Sequence, residues 1–302
     1  MGAIKEIKSI LTSINRHPLA GKHRFKAYYR LLKWQMMSRV KLGVNKVRFA
    51  SKSLLLVKKG MAGATGNIYM GLHEFEDMGF LLHFLRSDDL FLDIGANIGS
   101  YTILASSEVG ANTYSFEPVP ETFNALSNNV LINNVASKVM LFNVGVGAKR
   151  GKLFFTSMND SINHVVVDIK KYAPNEIVEV SIVSIDEVLL NKNKIPALIK
   201  IDVEGFETEV LNGMEDVLSN SCLKAIIIEL NGCSAQFGYS DKLIHEKLTA
   251  NGFKPFSYNP LTRTLTEISL FGKYNTIYLR DLSFVEERVK GGEKIHIFSE
   301  IF

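Results

Sequence analysis

The chain has 302 residues, 46% apolar and 22% charged, with a formal net charge of +4, a composition that supports a large globular core and excludes a disordered or fibrous protein. Two cysteines, Cys222 and Cys233, give no disulfide framework and read as packing residues. No apolar run approaches the roughly 20 residues that span a bilayer, and the start of the chain lacks the apolar core and cleavage site of a leader, so a soluble, cytoplasmic protein is expected.

In chain order, residues 1–60 come first and carry the charge asymmetry: fifteen Lys and Arg against a single acid, Glu6. Phe25, Tyr28, Leu32, Met36 and Val40 recur at helical spacing, which predicts a basic N-terminal helical extension whose apolar stripe is buried against the rest of the chain. The competing reading is an arm for nucleic acid or, as a peripheral contact, for the anionic inner face of a membrane. Next come a short strand in 53–60, a Gly-rich loop over 61–71 and a helical pattern over 72–86. On that last helix His73, Glu74 and Glu76 form either a lid over a ligand or a solvated face. From Leu90 the pattern becomes strand–helix repeats, with strands at 90–94, 113–117, 139–144, 197–203 and 224–230 and helices near 98–109, 120–133, 206–213 and 240–250. Such alternation predicts an α/β fold with a doubly wound, mostly parallel sheet over residues 61–302. An insertion with strand character lies at about 151–190. "FKPFSY" and "NTIYLRDL", joined by a turn at Asn259–Pro260, are expected to form an antiparallel C-terminal edge.

The chemistry begins at "FLDIGANIGSYTILA" (91–105), where an apolar strand ends in Asp93 and turns through Gly95, Ala96 and Gly99 into a helix. Glycine turns of this kind let a ligand approach the backbone, and several adenosyl-type cofactors use them. Glu117 ends the next strand, where a carboxylate can accept both hydroxyls of a ribose. Asp93 would repel a pyrophosphate but favour a cation, which points to S-adenosylmethionine, with its sulfonium and ammonium groups, over a dinucleotide. The plainer alternative is that Asp93 only caps the following helix.

"FLDIGANIGSYT", "FEPVPETFNAL", "NVGVGAKRGKL" and "LIKIDVEGFETEVLNG" occur in that order, and over roughly residues 70–280 the chain resembles FkbM-type methyltransferases. The resemblance implies the class I (Rossmann-like) methyltransferase fold, S-adenosylmethionine as cofactor, and O-methylation of a hydroxyl on a sugar, glycan or small natural product. It implies a cofactor site lined by Asp93, Gly95, Ala96, Asn97, Gly99, Ser100 and Glu117, with Val144 near the adenine and Asp202 at the rim.

The second chemical stretch is "ALIKIDVEGFE" (197–207), whose alternation places Lys200, Asp202 and Glu204 on one strand face at the ligand-binding end of the sheet. Glu229 and Asn231 reach the same rim from the next strand. Asp202, Glu229 and Asn231 are candidate ligands for Mg²⁺, which could lower the acceptor hydroxyl's pKa. A metal-free network is favoured, because Lys200 competes for the role of the ion; purely structural pairing is the third reading. His164, in the insertion, is a candidate general base beside Asp202 and Glu204. Phe256 and Tyr258 either wall the acceptor pocket or pack in the core. Two other functions compete: a nucleic-acid methyltransferase guided by the basic arm, against which "IDVEGF" stands in place of the usual base-methylating motif, and a non-catalytic cofactor-fold docking module.

Overall fold

Side chains alternating above and below short parallel strands dictate the architecture. The computed structural model describes residues 2–40, 43–157, 163–190, 192 and 194–302. The N-terminal part comprises α1 (Gly2–Arg16), α2 (Arg24–Val40), the hairpin β1 (Asn45–Arg48) and β2 (Leu54–Val57), α3 (Ala62–Met70) and α4 (Phe75–Phe84). The first half of the sheet follows as β3 (Leu90–Ile94), α5 (Ser100–Ile103, continuing in a π-helical segment Leu104–Val109), β4 (Asn112–Phe116), α6 (Pro120–Ile132) and β5 (Val139–Phe142). A small sheet of β6 (Gly145–Val146), β7 (Gly151–Thr156) and β8 (Ile177–Val183) precedes α7 (Ile185–Leu189). The second half contains β9 (Leu198–Ile201), α8 (Glu207–Asn212), α9 (Glu215–Ser219), β10 (Ala225–Glu229), α10 (Asp241–Ala250), β11 (Lys254–Asn259), β12 (Thr264–Glu267) and β13 (Asn275–Leu279). Helix α11 (Leu282–Lys290) and the short pair β14 (His296–Ile297) and β15 (Glu300–Ile301) close the chain.

The main sheet has eight strands in the order β12-β11-β13-β10-β9-β3-β4-β5. Strands β10, β9, β3, β4 and β5 are mutually parallel, and β13 runs antiparallel to both β10 and β11. Phe91, Leu198 and Ile227 face one core layer, shared with the N-terminal helices; Leu92, Ile199 and Ile226 face the other, shared with the helices of the second half. No described helix is long and apolar enough to cross a membrane.

Three expectations are corrected. Residues 62–70 are helix, not loop, because burial of Ala64, Tyr69 and Met70 against the core outweighs the glycines. The C-terminal pair does form, but its strand 275–279 is inserted between β10 and β11; the edge is the hairpin strand β12. In α2 the stripe expected inside points outward: Phe25, Leu32, Met36 and Val40 are exposed, while Ala27, Leu31, Trp34 and Ser38 are buried. The helix carries apolar side chains on two faces, and the buried one holds its tryptophan. The insertion at 151–190 contains β7 and β8 as expected; its residues 158–162 lie outside the described ones.

Candidate active site

The turn after β3 is built from a complete set of local hydrogen bonds. Gly95 and Ala96 both donate their N–H to the Phe116 carbonyl, at 3.0 and 2.9 Å. Asn97 donates its N–H to Glu117 Oε2 (2.9 Å), Ile98 to Asn97 Oδ1 (2.7 Å), and Gly99 to the Ala96 carbonyl (2.8 Å). Every backbone donor from 95 to 99 is therefore engaged within the protein. Glu117 accepts a second N–H, from Val119, at its other oxygen (3.0 Å), so the carboxylate ties together the turns after β3 and β4. Burial pushes its pKa up to about 7, against those two hydrogen bonds.

Gly95 is required by the protein itself. Its φ is +81°, and a Cβ there would lie 1.8 Å from the Asp202 carbonyl oxygen, so the close approach that demands glycine comes from the chain end of β9. Gly95→Ala is expected to lower stability by about 2–4 kcal/mol, read as a drop in melting temperature; a melting temperature within a degree of wild type would show that the two turns can separate freely. Asn97 also has positive φ, +50°, a conformation asparagine tolerates.

Strand register sets the electrostatics. Asp93 lies directly opposite Ser115 on one side and Lys200 on the other. Asp93 Oδ2 accepts from the Thr102 N–H (2.9 Å) and hydroxyl (2.6 Å), so it does cap the first turn of α5. It also lines the cleft described below, and burial raises its pKa to about 6. Lys200 is 1% exposed and donates to Asp202 Oδ2 at 2.9 Å. Burial opposes its charge, but Asp202, Glu74 and Glu229 outweigh that, so the ammonium is held above its ordinary value. Its Nζ lies 5.4 Å from the centre of the Tyr101 ring, whose hydroxyl donates to Glu74 Oε2 (2.8 Å). Asn275 Nδ2 donates to Glu74 Oε1 (2.7 Å) and to Asp77 (3.2 Å). Burial and then Glu74 raise the pKa of Asp77 to about 7.

The opposite rim is acidic. Strand alternation ends at Ile201, and Asp202 and Glu204 project instead from a turn in which Glu204 has φ +53° and Gly205 φ +102°. Buried Glu207 holds that turn by accepting the N–H groups of Val203 (3.3 Å) and Gly205 (3.1 Å). Oxygen atoms of Asp202, Glu204 and Glu229 lie within 4.8 Å of one another. Burial, then Asp202, raises Glu204 to about 7 and Glu229 to about 8. The trio thus contains Glu204 where the sequence suggests Asn231, whose side chain instead donates to Glu229 (2.9 Å) and accepts from the Cys233 N–H.

A cleft of about 1240 Å³ joins these groups. Asp93, Gly95, Ala96, Asn97, Ser100, Glu117, Val144, Lys200, Asp202, Glu204 and Glu229 line it. Gly99 does not; its φ is +92°, and a Cβ there would lie 2.5 Å from Leu126 Cδ1, so this glycine serves packing. His164 is not among the residues that line the cleft; its backbone pairs with Thr156, and its neighbour Asn163 lines the wall. His73 and Glu74 line the cleft, Glu74 within the Lys200 network. Phe256 and Tyr258 are core residues, Tyr258 bonded to His83 (2.7 Å). Cys222 is exposed and Cys233 half-buried, so neither is a core residue. Sequence reasoning offered Glu74 only as part of a lid or a solvated face, and missed Asp77, Tyr101, Asn275 and Glu207; for these the acidic run at 74–77 was the one signal. It also missed that Leu31, Trp34 and Gln35 of α2 wall the far end of the cleft.

A core of five parallel strands with the antiparallel β13 inserted between β10 and β11, and a carboxylate at the tips of β3 and β4, defines the class I methyltransferase fold. A family model described as the methyltransferase FkbM domain matches residues 93–255, and the chain belongs to that family. It is 29% identical over 153 residues to the hexuronic acid methyltransferase AglP of Haloferax volcanii, covering 50% of this chain and 59% of that protein. It is 30% identical over 172 residues to the 31-O-demethyl-FK506 methyltransferase FkbM of Streptomyces tacrolimicus, covering 47% and 66%. A solved methyltransferase FkbM from Methylobacillus flagellatus KT aligns at 14% identity with a TM-score of 0.44, covering 83% of this chain and 59% of that one. The chain thus spans about six-tenths of the length of the first of these relatives.

Proposed function

We propose that the protein is an S-adenosylmethionine-dependent O-methyltransferase acting on a hydroxyl of a sugar, glycan or small natural product. One observation carries the choice of cofactor: the turn 95–99 offers no unengaged N–H to a pyrophosphate, yet sets two buried carboxylates beside it. A phosphate site needs such donors; a cation or a ribose needs carboxylates. Glu117 spends one lone pair of each oxygen on Asn97 and Val119, and a carboxylate has about four such sites, so it retains acceptors for two ribose hydroxyls. Bound here, S-adenosylmethionine would supply a methyl group on a sulfonium. The names of two relatives, one a hexuronic acid methyltransferase and one a 31-O-demethyl-FK506 methyltransferase, support the acceptor class.

The acidic rim supplies the remaining chemistry. Glu204 receives the acceptor's proton, since a carboxyl raised to about 7 is matched to that task near neutral pH. Glu229, raised to about 8, holds its proton there and keeps the rim from carrying three charges. Because the base must be ionised, methyl transfer should rise with pH through about 7. Glu204→Gln should lower kcat about 100-fold or more while S-adenosylhomocysteine affinity stays within about twofold; an unchanged rate assigns the base elsewhere. Mg²⁺ is the less favoured reading, because Lys200 already neutralises Asp202 at 2.9 Å.

The test is a methyl-transfer assay with labelled donor on a glycan and metabolite extract, with and without chelator. A labelled methyl ether formed in both arms is expected. A product lost on chelation would establish the metal. A labelled RNA would replace the acceptor class, and no product together with no thermal stabilisation by S-adenosylhomocysteine would overturn the reading.

A further inference from the structure

Helix α2 has a second apolar row that the protein leaves uncovered. Phe25, Tyr29, Leu32, Met36 and Val40 are between 62 and 87% exposed. At 3.6 residues per turn they fall within an arc of about 80°, opposite the buried row of Ala27, Leu31, Trp34 and Ser38. Along 17 residues of helix this makes a strip about 25 Å long. Exposed Lys26 and Lys33 flank it on one side and exposed Arg39 on the other. From Ile7 to His73 the sequence holds fourteen Lys and Arg and no acid.

From this we infer that the outer face of α2 is a docking surface for an anionic lipid bilayer, lying in the plane of the headgroups. A helix with an aromatic and aliphatic face between lysines and arginines suits that interface: the apolar row enters the acyl boundary and the long basic side chains reach back to the phosphates. Charge complementarity selects lipid over a protein partner. A protein would have to present uninterrupted acidic surface around an apolar strip, whereas an anionic leaflet provides diffuse negative charge over the whole face. Leu32 belongs both to the exposed row and to the wall of the cleft, as Gln35 and Arg39 of the same helix also line that wall. Docking on this face therefore sets this wall of the cleft beside the headgroups.

The test uses the full chain in sedimentation with phosphatidylcholine vesicles, with and without phosphatidylglycerol. Wild type should bind the anionic vesicles, lose that binding at high salt, and leave neutral vesicles nearly free. Phe25→Ser/Tyr29→Ser/Met36→Ser should lower partition at least tenfold, and Lys26→Gln/Lys33→Gln about 25-fold, at about fivefold for each charge lost. A control, Leu243→Ser/Tyr274→Ser, removes comparably exposed side chains elsewhere and should bind as wild type. Matching melting curves show that the variants are folded, and S-adenosylhomocysteine binding, read separately, distinguishes failure here from failure of the enzymatic reading. Absent binding to anionic vesicles, binding unchanged in the triple variant, or a wild-type dimer that the triple variant converts to monomer would each overturn the proposal; the last would assign the face to a second copy of the chain.

Discussion

Glu117→Gln is expected to weaken S-adenosylhomocysteine binding about 100-fold, equivalent to about 2.7 kcal/mol. The wild-type carboxylate accepts one N–H at each oxygen, from Asn97 and Val119. An amide has only one acceptor oxygen, so its NH₂ must confront one of those two donors. One turn then loses its tie, and one of the acceptors meant for the ribose becomes a donor. Buried donors left without acceptors cost about 1–3 kcal/mol, so the melting temperature should also fall by a few degrees. Titration calorimetry reads the affinity directly. An affinity within twofold of wild type would mean that Glu117 only staples the two turns together and that the ribose is held elsewhere.

Lys200→Met should cost more stability than any other single change at the site, about 3–5 kcal/mol at neutral pH. Lys200 is the buried cation among Asp93, Asp202, Glu74, Asp77 and Glu229, and methionine fills its volume without its charge. The sign with pH separates electrostatics from packing. Without the ammonium, the pKa values of Asp93, Asp77 and Glu229, already raised by burial in the folded state and lowered in part by Lys200, rise further above their unfolded values, so ionising these groups opposes folding. That penalty is present at pH 8 and is relieved as pH falls through the raised folded-state values. The gap in melting temperature between variant and wild type should therefore shrink between pH 8 and pH 5. A gap of constant size would show that the lysine stem's packing, not its charge, stabilises the site.

The two chemical stretches were legible for different reasons. Asp93 and Glu117 stand at the ends of apolar strands, and a carboxylate terminating a buried strand is a local anomaly that needs only its neighbours to be noticed. Lys200 stands out similarly, as a lysine among Leu198, Ile199 and Ile201. Glu74, Asp77 and Asn275 show no such anomaly, because they meet Lys200 only through the insertion of β13 beside β10 and the packing of α4 on the sheet. Alternation was extended too far at Asp202 and Glu204: the strand ends at Ile201, and their convergence with Glu229 depends on a left-handed turn held by Glu207.

By itself, the sequence determined the α/β class, the positions of the parallel strands, the family and the acid-tipped turn, because each is written in periodicity or in contiguous residues. Tertiary structure decided which apolar row of α2 is buried, which acids surround Lys200, that Asn163 and not His164 lines the cleft, and that the N-terminal helices form part of its wall. Periodicity reports that a face is apolar, but two apolar faces of one helix compete for one core. The face carrying Trp34 fills that space, and only the packed chain shows which one was left for something else to cover.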